Sequence, residues 1–308
     1  MVVRQPHTRS PNMQTWRVGN CTVTRIEELI GPLFDPVQFF PDYDPDVFTS
    51  HREWLYPHHA DEASGNIISS MHSWLIQTPD HNILVDTCIG NDKDRMPFRD
   101  WHAMQTPWLN RLRGTGVAPE DIDFVMCTHL HVDHVGWNTV LRDGQWVPTF
   151  PNASYVFAEA EYEFWKAQRH AEDPDGFHRV GNKTFDDSVL PVMGLARLIS
   201  GETELIDDLL RVTPAPGHTP GSITISLTTQ ADRALFTGDI LHHPIQVYEP
   251  EWNSAYCEIP DQAIATRRHV LEHCCEHGSL VLPAHFGPSF AGRVNDAAQG
   301  FAFEFVEG

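Results

Sequence analysis

The feature that most constrains this chain is the run at residues 128–134, which reads THLHVDH and places four side chains able to bind metal within six positions. The apolar stretch directly before it predicts a buried strand, so the run begins where a strand ends. His129 and His131 are two positions apart, and on an extended chain they point the same way. Asp133 and His134 follow with an oxygen and a nitrogen. The run therefore predicts a metal site, because zinc accepts mixed nitrogen and oxygen ligands.

Three further candidate ligands each lie in a tight turn after a predicted strand. His218 lies in the sequence PAPGHTPG, Asp239 in TGD and His285 in PAHFG. Strand ends along one sheet edge present side chains to a common pocket, and the neighbouring glycines and prolines fix the backbone there. Together with the first run, these residues predict a cage of five histidines and two aspartates.

In this order, the HxHxDH run, the GHTPG histidine, the GD aspartate and the AH histidine resemble the pattern of the metallo-β-lactamase fold superfamily over residues 21–285. The joint pattern is highly specific, whereas any one of the later turns alone is weak. The resemblance implies an α/β fold, an αβ/βα four-layer sandwich, with the metals in a cleft between two sheet edges. No linker divides the chain, so we expect a single domain over residues 1–308, with residues 1–19 as an extended N-terminal arm.

The same resemblance implies how the cage is divided between two divalent metal ions, with zinc as the expected metal. The implied division is a first site of His129, His131 and His218, a second site of Asp133, His134 and His285, and Asp239 as the bridge between them. A hydroxide shared by ions about 3.5–4 Å apart is the implied nucleophile. Two cations that close repel each other, so anionic groups must lie between them.

Differences from individual branches of the superfamily narrow the expected function. The β-lactamases themselves usually have Arg and Cys in the second metal site, whereas this chain has His134 and no cysteine in a matching turn. The diiron flavoprotein branch has Glu where this chain has His131, and the nuclease branch carries basic segments that this acidic chain lacks. The branches that remain as expected functions are the lactonases, the glyoxalase II-type thioesterases, and the aryl ester or phosphotriester hydrolases.

The residues after the bridging aspartate separate these branches further. In acyl-homoserine lactonases the third residue past it is commonly a Tyr that polarises the substrate, and here that residue is His242. The sequence motif G-D-x-x-H-x-x-x-Q resembles that of the methyl parathion hydrolase-like branch, whose members also hydrolyse esters and lactones. We expect His242, and less so His243, to donate a hydrogen bond to the substrate or leaving group, with a purely structural role as the alternative. Asp133 is expected to combine metal binding with a catalytic role.

The expected reaction is hydrolysis of an ester-type bond, in a lactone, aryl ester or phosphotriester, within a small and partly apolar molecule. One alternative is a glyoxalase II-type thioesterase, but that branch usually carries basic residues near the C-terminus, and residues 300–308 offer only Glu304 and Glu307 as charges. A second alternative is a metal-dependent binding module without catalysis. The complete ligand set argues against it, because loss of catalysis usually erodes ligands.

Composition excludes some partners. The formal net charge of −21 repels a phosphate backbone and disfavours an anionic membrane surface. No apolar run approaches the roughly 20 residues of a membrane-spanning helix. The N-terminus lacks the apolar stretch of a secretory signal, which makes the cytoplasm the default compartment. The six cysteines form no CxxC pair and are expected to be reduced thiols. The sequence leaves open whether the protein forms a homodimer.

Other features each keep two interpretations. Asp86 either orients a metal ligand or makes a hydrogen bond at a hairpin end. Residues 32–61 form either a pocket lid or a dimer arm, and residues 173–187, rich in chain-breaking residues, are expected to be a loop over the site. The aromatic residues that either line an apolar pocket or belong to the core are Phe39, Phe40, Trp165 and Trp252.

Alternation and apolar runs predict the regular elements. The predicted strands are 21–26, 66–77, 82–86, 122–126, 154–157, 209–213, 222–227, 234–236 and 279–282, and the predicted helices are 108–113, 158–168 and 262–276.

Overall fold

The computed structural model describes residues 13–169 and 176–308. Its first sheet has seven strands, which lie side by side in the order β1 (Thr15–Val18), β2 (Cys21–Phe34), β3 (Ile67–Gln77), β4 (Asn82–Val85), β5 (Phe124–Met126), β8 (Ser154–Ala158) and β9 (Ala196–Ile199). The strands β6 (Thr139–Arg142) and β7 (Gln145–Pro148) form a separate hairpin. Neighbours from β1 to β4 are antiparallel, and those from β4 to β9 are parallel.

The second sheet also has seven strands and follows chain order: β10 (Thr203–Ile206), β11 (Leu210–Pro214), β12 (Ile223–Thr228), β13 (Arg233–Gly238), β14 (Leu280–Pro283), β15 (Gly292–Ala297) and β16 (Gly300–Phe305). Only β13 and β14 pair in parallel, and the other neighbours are antiparallel. The parallel pair matters for function, because it brings the ends of β13 and β14 to the same edge.

The two sheets pack face to face. Val23 and Val85 of the first sheet share one buried cluster with Val212, Ile225 and Phe236 of the second. Burying one such apolar side chain stabilises the fold by about 1.5–3 kcal/mol. Because side chains alternate between the faces of a strand, the opposite face of each sheet is left for helices.

Within residues 13–169 and 176–308, eight α-helices accompany the sheets: α1 (Pro36–Phe39), α2 (Pro45–Ser50), α3 (Arg52–Leu55), α4 (Trp108–Gly114), α5 (Glu159–Gln168), α6 (Gly176–Thr184), α7 (Ile245–Tyr248) and α8 (Pro260–His277). Trp108 of α4 and Trp165 of α5 pack against Val125 on the outer side of the first sheet. Leu271 of α8 packs against Val281 on the outer side of the second. The architecture is therefore the expected αβ/βα four-layer sandwich. No helix in the described part of the chain is long and apolar enough to cross a membrane.

Most predicted elements are confirmed. The hairpin at residues 79–81 joins β3 to β4, and the Thr78 N–H donates to the His81 carbonyl at 2.9 Å. Helix α8 extends the predicted helix and ends at Gly278, whose φ of +59° suits the left-handed position after a helix. All six cysteines are free thiols, as expected. Part of the expected N-terminal arm is instead the edge strand β1, and residues 1–12 lie outside the described residues.

The prediction of a loop at residues 173–187 is wrong for the part that the structure describes. Residues 176–184 form α6, and Phe185–Val189 continue it as a π-helical turn. Tertiary contacts outweigh the local chain-breaking residues: Phe185 is buried in the first-sheet core, and Asp187 receives two hydrogen bonds from Arg95. Residues 173–175 lie outside the described residues.

The segment 32–61 packs on its own chain. Phe40, Phe48 and Leu55 are buried in one cluster with Ile245 and Trp252. Two N-capping aspartates, Asp35 and Asp44, fix the starts of α1 and α2 by accepting backbone N–H groups. This packing places the segment against α7 and against Trp252 just after it.

Candidate metal centre

The HxHxDH run follows β5, and its backbone is held from both sheets. The Thr128 N–H donates to Asp86 Oδ1 at 2.7 Å, and the Thr128 carbonyl accepts the Ile223 N–H at 3.0 Å. Gly238, at the end of β13, lies so close that a Cβ there would be 2.7 Å from Thr128 Oγ1. Only glycine therefore fits, and this close approach brings Asp239 beside the run.

Four of the seven predicted residues form a first group: His129, His131, His218 and Asp239. Their ligand-capable atoms all lie within 4.8 Å of one another. His218 Nε2 lies 2.9 Å from His131 Nδ1 and 3.3 Å from Asp239 Oδ2. The turns after β5, β11 and β13 supply these residues, so both sheets contribute to the group.

The second group consists of Asp133, His134 and His285, whose ligand-capable atoms also all lie within 4.8 Å of one another. His285 Nε2 lies 3.3 Å from His134 Nε2 and 3.6 Å from Asp133 Oδ2. Asp239 joins the groups, because its Oδ2 faces the first one, whereas its Oδ1 lies 3.0 Å from His285 Nε2 and 3.1 Å from His134 Nε2. The structure thus brings together all seven residues that the sequence singled out.

The chemistry of this donor set fits divalent cations. His129 Nε2 is buried and makes no hydrogen bond to any residue that the structure describes, and the nearest Asp239 oxygen lies 3.7 Å away. Buried polar atoms without partners are rare and need an explanation such as a bound ion. Imidazole nitrogens with carboxylate oxygens are ligands that zinc prefers. A zinc-sized cation in the first group would give His129 Nε2 its missing partner.

Burial and the negative charge of Asp239 together set the pKa values of the cage histidines. Burial, the largest effect, lowers the pKa of His131 to about 3 and that of His129 well below its usual range, so both rings are neutral and present a lone pair. Burial opposes ionisation of Asp239 too, but the adjacent His134 and His285, whose own pKa values the Asp239 carboxylate raises, hold its pKa well below the ordinary value. Metal binding in the second group would therefore displace protons from these two rings. A neutral imidazole and an ionised carboxylate are the forms that bind metal.

In four of the cage histidines, the second ring nitrogen makes a hydrogen-bond contact with a neighbouring residue. The pairs are His129 Nδ1 with Thr128 Oγ1 at 3.1 Å, His134 Nδ1 with Asp86 Oδ2 at 2.9 Å, His218 Nδ1 with Cys257 Sγ at 3.7 Å and His285 Nδ1 with the Ser70 carbonyl at 3.2 Å. Such contacts fix the orientation of a ligating ring. For Asp86, the contact with His134 supports the interpretation that it orients a ligand.

His242 lies inside the site, whereas His243 does not. His242 Nε2 is 3.2 Å from Asp239 Oδ2 and 3.3 Å from Ser254 Oγ, and the ring is buried. His243 points away, with Nε2 on the His59 carbonyl at 3.0 Å and Nδ1 accepting the Ile245 N–H at 3.2 Å. His243 is thereby a satisfied core residue.

Aromatic side chains form most of the pocket above the cage. Of the four aromatic candidates only Phe39 lines it. Phe40 and Trp252 belong to the core, and Trp165 lies beneath His131 with ring centroids 5.3 Å apart. Sequence reasoning missed the other aromatic lining residues, which are Phe34, Phe98, Trp101, Phe177 and Tyr256. They come from four separate segments without common periodicity, so no local pattern signals them.

Comparison with known proteins shows which family and fold the chain resembles. An N-acyl homoserine lactonase from Bacillus sp. is 28% identical over 122 residues, which are 40% of this chain and 39% of the lactonase. The chain thus matches about two fifths of that relative's length. A hydrolase of the beta-lactamase superfamily, AbOPH, superposes with a TM-score of 0.77 at 21% identity, over 97% of this chain and 99% of that one.

A second solved structure, of the dizinc quorum-quenching lactonase AidC with a bound product, superposes with a TM-score of 0.76 at 18% identity, over 94% of this chain and 96% of that one. At these identities the two structures show a shared fold. The family model of the metallo-beta-lactamase superfamily matches residues 70–272, which is more than half of the chain and includes six of the seven cage residues. The chain therefore belongs to the metallo-beta-lactamase superfamily.

Proposed function

We propose that the seven residues hold two divalent metal ions, zinc by preference, as a dinuclear centre. His129, His131 and His218 hold the first ion, and Asp133, His134 and His285 hold the second. The observation that carries this proposal is Asp239, whose two carboxylate oxygens face different groups. Because ligands come from turns of both sheets, we also propose that the chain forms a single domain.

We further propose that the protein hydrolyses an ester-type bond of a lactone, aryl ester or phosphotriester. Two such ions, when bound, polarise the scissile group and activate water for attack. The lactonase relative and the apolar pocket support a small, partly apolar substrate. The strongly acidic surface supports a small-molecule partner over nucleic acid.

The chain's own residues have distinct tasks in this proposal. His242, at the border of cage and pocket, donates a hydrogen bond to the substrate oxygen that gains negative charge. Asp133 is the most exposed of the cage residues, with 12% of its side chain accessible, so its carboxylate can exchange a proton with the leaving group. The aromatic walls bind the acyl or aryl part and exclude water.

A thioesterase of the glyoxalase II kind fits the pocket less well. Among the residues that the structure describes, no Lys or Arg lines the pocket, so the carboxylates of a thiol carrier would have no cationic partner. The C-terminal strand β16 (Gly300–Phe305) adds no cationic side chain either. Its charged residue is Glu304, which accepts a hydrogen bond from Asn295 Nδ2. A non-catalytic binding module is likewise disfavoured, because His242 adds a donor beyond the complete ligand set.

A hydrolysis screen on zinc-reconstituted protein tests the proposal. The panel contains lactones, aryl esters, phosphotriesters and a glutathione thioester, and His131→Ala serves as the blank. We expect turnover of at least one oxygen ester and none of the thioester. Protein that contains two zinc ions but turns over no member of the panel would contradict the hydrolase while leaving the metal centre intact.

A further inference from the structure

Glu161 in α5 is a buried carboxylate that the proposed reaction does not use. Only 1% of the residue is accessible to solvent. Its four hydrogen-bond donors are the Leu130 N–H at 2.9 Å and Trp165 Nε1 at 2.7 Å on Oε1, and Thr219 Oγ1 at 2.7 Å and the Gly221 N–H at 3.0 Å on Oε2. A buried charge is tolerated where such donors satisfy it.

Three of these donors, on Leu130, Thr219 and Gly221, belong to two loops that supply the first metal group. Leu130 lies between His129 and His131, and Thr219 follows His218 directly. The two loops start from different sheets, so the single carboxylate of Glu161 bridges the sheets at the cage. The approach is close, since a Cβ on Gly221 would lie 2.1 Å from the Glu161 nitrogen.

Glu161 also reaches the first group through Trp165. The indole N–H is fixed by Glu161, and the indole ring packs edge-on against the His131 ring with centroids 5.3 Å apart. Unlike the other four cage histidines, His131 has a second ring nitrogen, Nε2, that lacks a hydrogen-bond partner among the described residues, whereas its Nδ1 faces His218. Its ring is therefore oriented by packing, and Glu161 holds the packing partner in place.

The second group is held by a different carboxylate, that of Asp86, which also reaches His129 of the first group through Thr128. The Asp86 carboxylate contacts His134 Nδ1 and Thr128, whereas Glu161 makes no hydrogen bond to Asp133, His134 or His285 within the described part of the chain. We propose that Glu161 is a positioning residue that selectively raises metal affinity at the site of His129, His131 and His218. This inference rests on the metal centre proposed above and not on the substrate.

Removing the negative charge with Glu161→Gln tests the selectivity. The amide keeps one acceptor for Leu130 and Trp165, but its N–H groups face the Gly221 N–H. The variant is made in two backgrounds: His285→Ala, which leaves the first site, and His131→Ala, which leaves the second. Zinc affinity is measured by titration of metal-free protein against a chromophoric chelator.

In the His285→Ala background we expect Glu161→Gln to weaken zinc binding roughly 10–100-fold, the range found for residues that orient ligands. In the His131→Ala background we expect no change. Glu163→Gln, two residues away on the exposed face of α5, is the matched control and leaves both affinities unchanged. Asp86→Asn, by contrast, is expected to weaken zinc binding in both backgrounds, because Asp86 contacts His134 directly and His129 through Thr128.

Equal weakening by Glu161→Gln in both backgrounds, or no change in either, would overturn the proposal. If Glu161→Gln does not fold, Thr219→Val removes one of the four donors at nearly constant volume and must show the same selectivity with a smaller loss. A Thr219→Val protein that binds zinc like its background would also overturn it. Wild-type protein that binds no zinc would instead contradict the metal centre itself.

Discussion

His242 Nε2 lies 3.2 Å from Asp239 Oδ2, the same oxygen that lies 3.3 Å from His218 Nε2. On its other side, the His242 ring meets Phe39 with centroids 5.5 Å apart. Its Nδ1 has no hydrogen-bond partner in the described part of the chain. His242 therefore belongs to both the cage and the apolar pocket, and a bound substrate would meet both there.

Replacing His242 separates a role in turnover from a role in metal binding. We expect His242→Ala to lower kcat roughly 10²–10³-fold, as the loss of one donor to a developing negative charge does. Metal content stays at two ions per chain, and His242→Gln, which keeps a donor, recovers part of kcat. Steady-state kinetics with elemental analysis measures both. Loss of one metal ion in His242→Ala would make His242 a ligand instead.

The bridging role of Asp239 has a clear consequence for stoichiometry. We expect His285→Ala to retain one zinc ion, whereas Asp239→Ala loses both at micromolar zinc, because its carboxylate faces both groups. A chelator removes the metal and the activity from wild-type protein, and added zinc restores both. Elemental analysis after gel filtration measures the content. Two retained ions in Asp239→Ala would rule out the bridge.

The aromatic wall predicts how substrate preference depends on apolar size. Trp101 and Tyr256 are partly accessible lining residues, so truncation there removes apolar contact without opening the core. We expect Trp101→Ala and Tyr256→Ala to raise KM about tenfold or more for the longest acyl or aryl substrates, since about 1.5–3 kcal/mol accompanies one buried side chain and about 1.4 kcal/mol is a factor of ten. KM for the smallest substrate changes little.

The control for this prediction is Leu141→Ala, on the exposed β6–β7 hairpin, where a large apolar side chain lies outside the pocket. Its KM values match the wild type at every substrate length. If the truncations lowered kcat equally for short and long substrates instead, the wall would act on the cage and not on the substrate.

The cage could be predicted from sequence because each ligand is tied to a local signal. His218, Asp239 and His285 stand in Gly- or Pro-rich turns after apolar strands, and the strand ends converge once the sheets form. Glu161 could not be predicted, because a glutamate in the first turn of a helix is ordinarily solvent-exposed and its four donors lie 31 to 60 positions away along the chain or one helical turn onward.

Misassignment of residues 173–187 has the same physical origin. Gly176, Gly181 and the aspartates disfavour helix by local propensity. Gly181 is nevertheless required, since a Cβ there would lie 2.8 Å from the Trp165 ring, and Asp187 is neutralised by distant partners. Long-range packing therefore decided the structure of this segment.

Lys93, Arg95 and Asp187 form a buried charge cluster that predicts unequal effects on stability. Two cations share one carboxylate: Arg95 Nη1 donates to Asp187 Oδ2 at 2.6 Å, and Lys93 Nζ lies 3.4 Å from Oδ1. We expect Asp187→Asn to lower the free energy of unfolding by about 3–5 kcal/mol, since it leaves buried cations unpaired. Lys93→Met, which keeps apolar contact with Trp146, is neutral or stabilising at pH 7. Urea unfolding measures both.

The same cluster predicts how stability depends on pH. Burial, only partly offset by Asp187, lowers the pKa of Lys93 from 10.5 to about 7. Between these values the unfolded chain binds a proton that the folded chain does not, so the contribution of Lys93 makes stability rise as the pH rises from 7 towards 10 and stay constant below 7. We therefore expect the difference in unfolding midpoint between wild type and Lys93→Met to shift in favour of the wild type from pH 7 to pH 9. A difference that stays constant over this range would show that Lys93 keeps its proton in the fold.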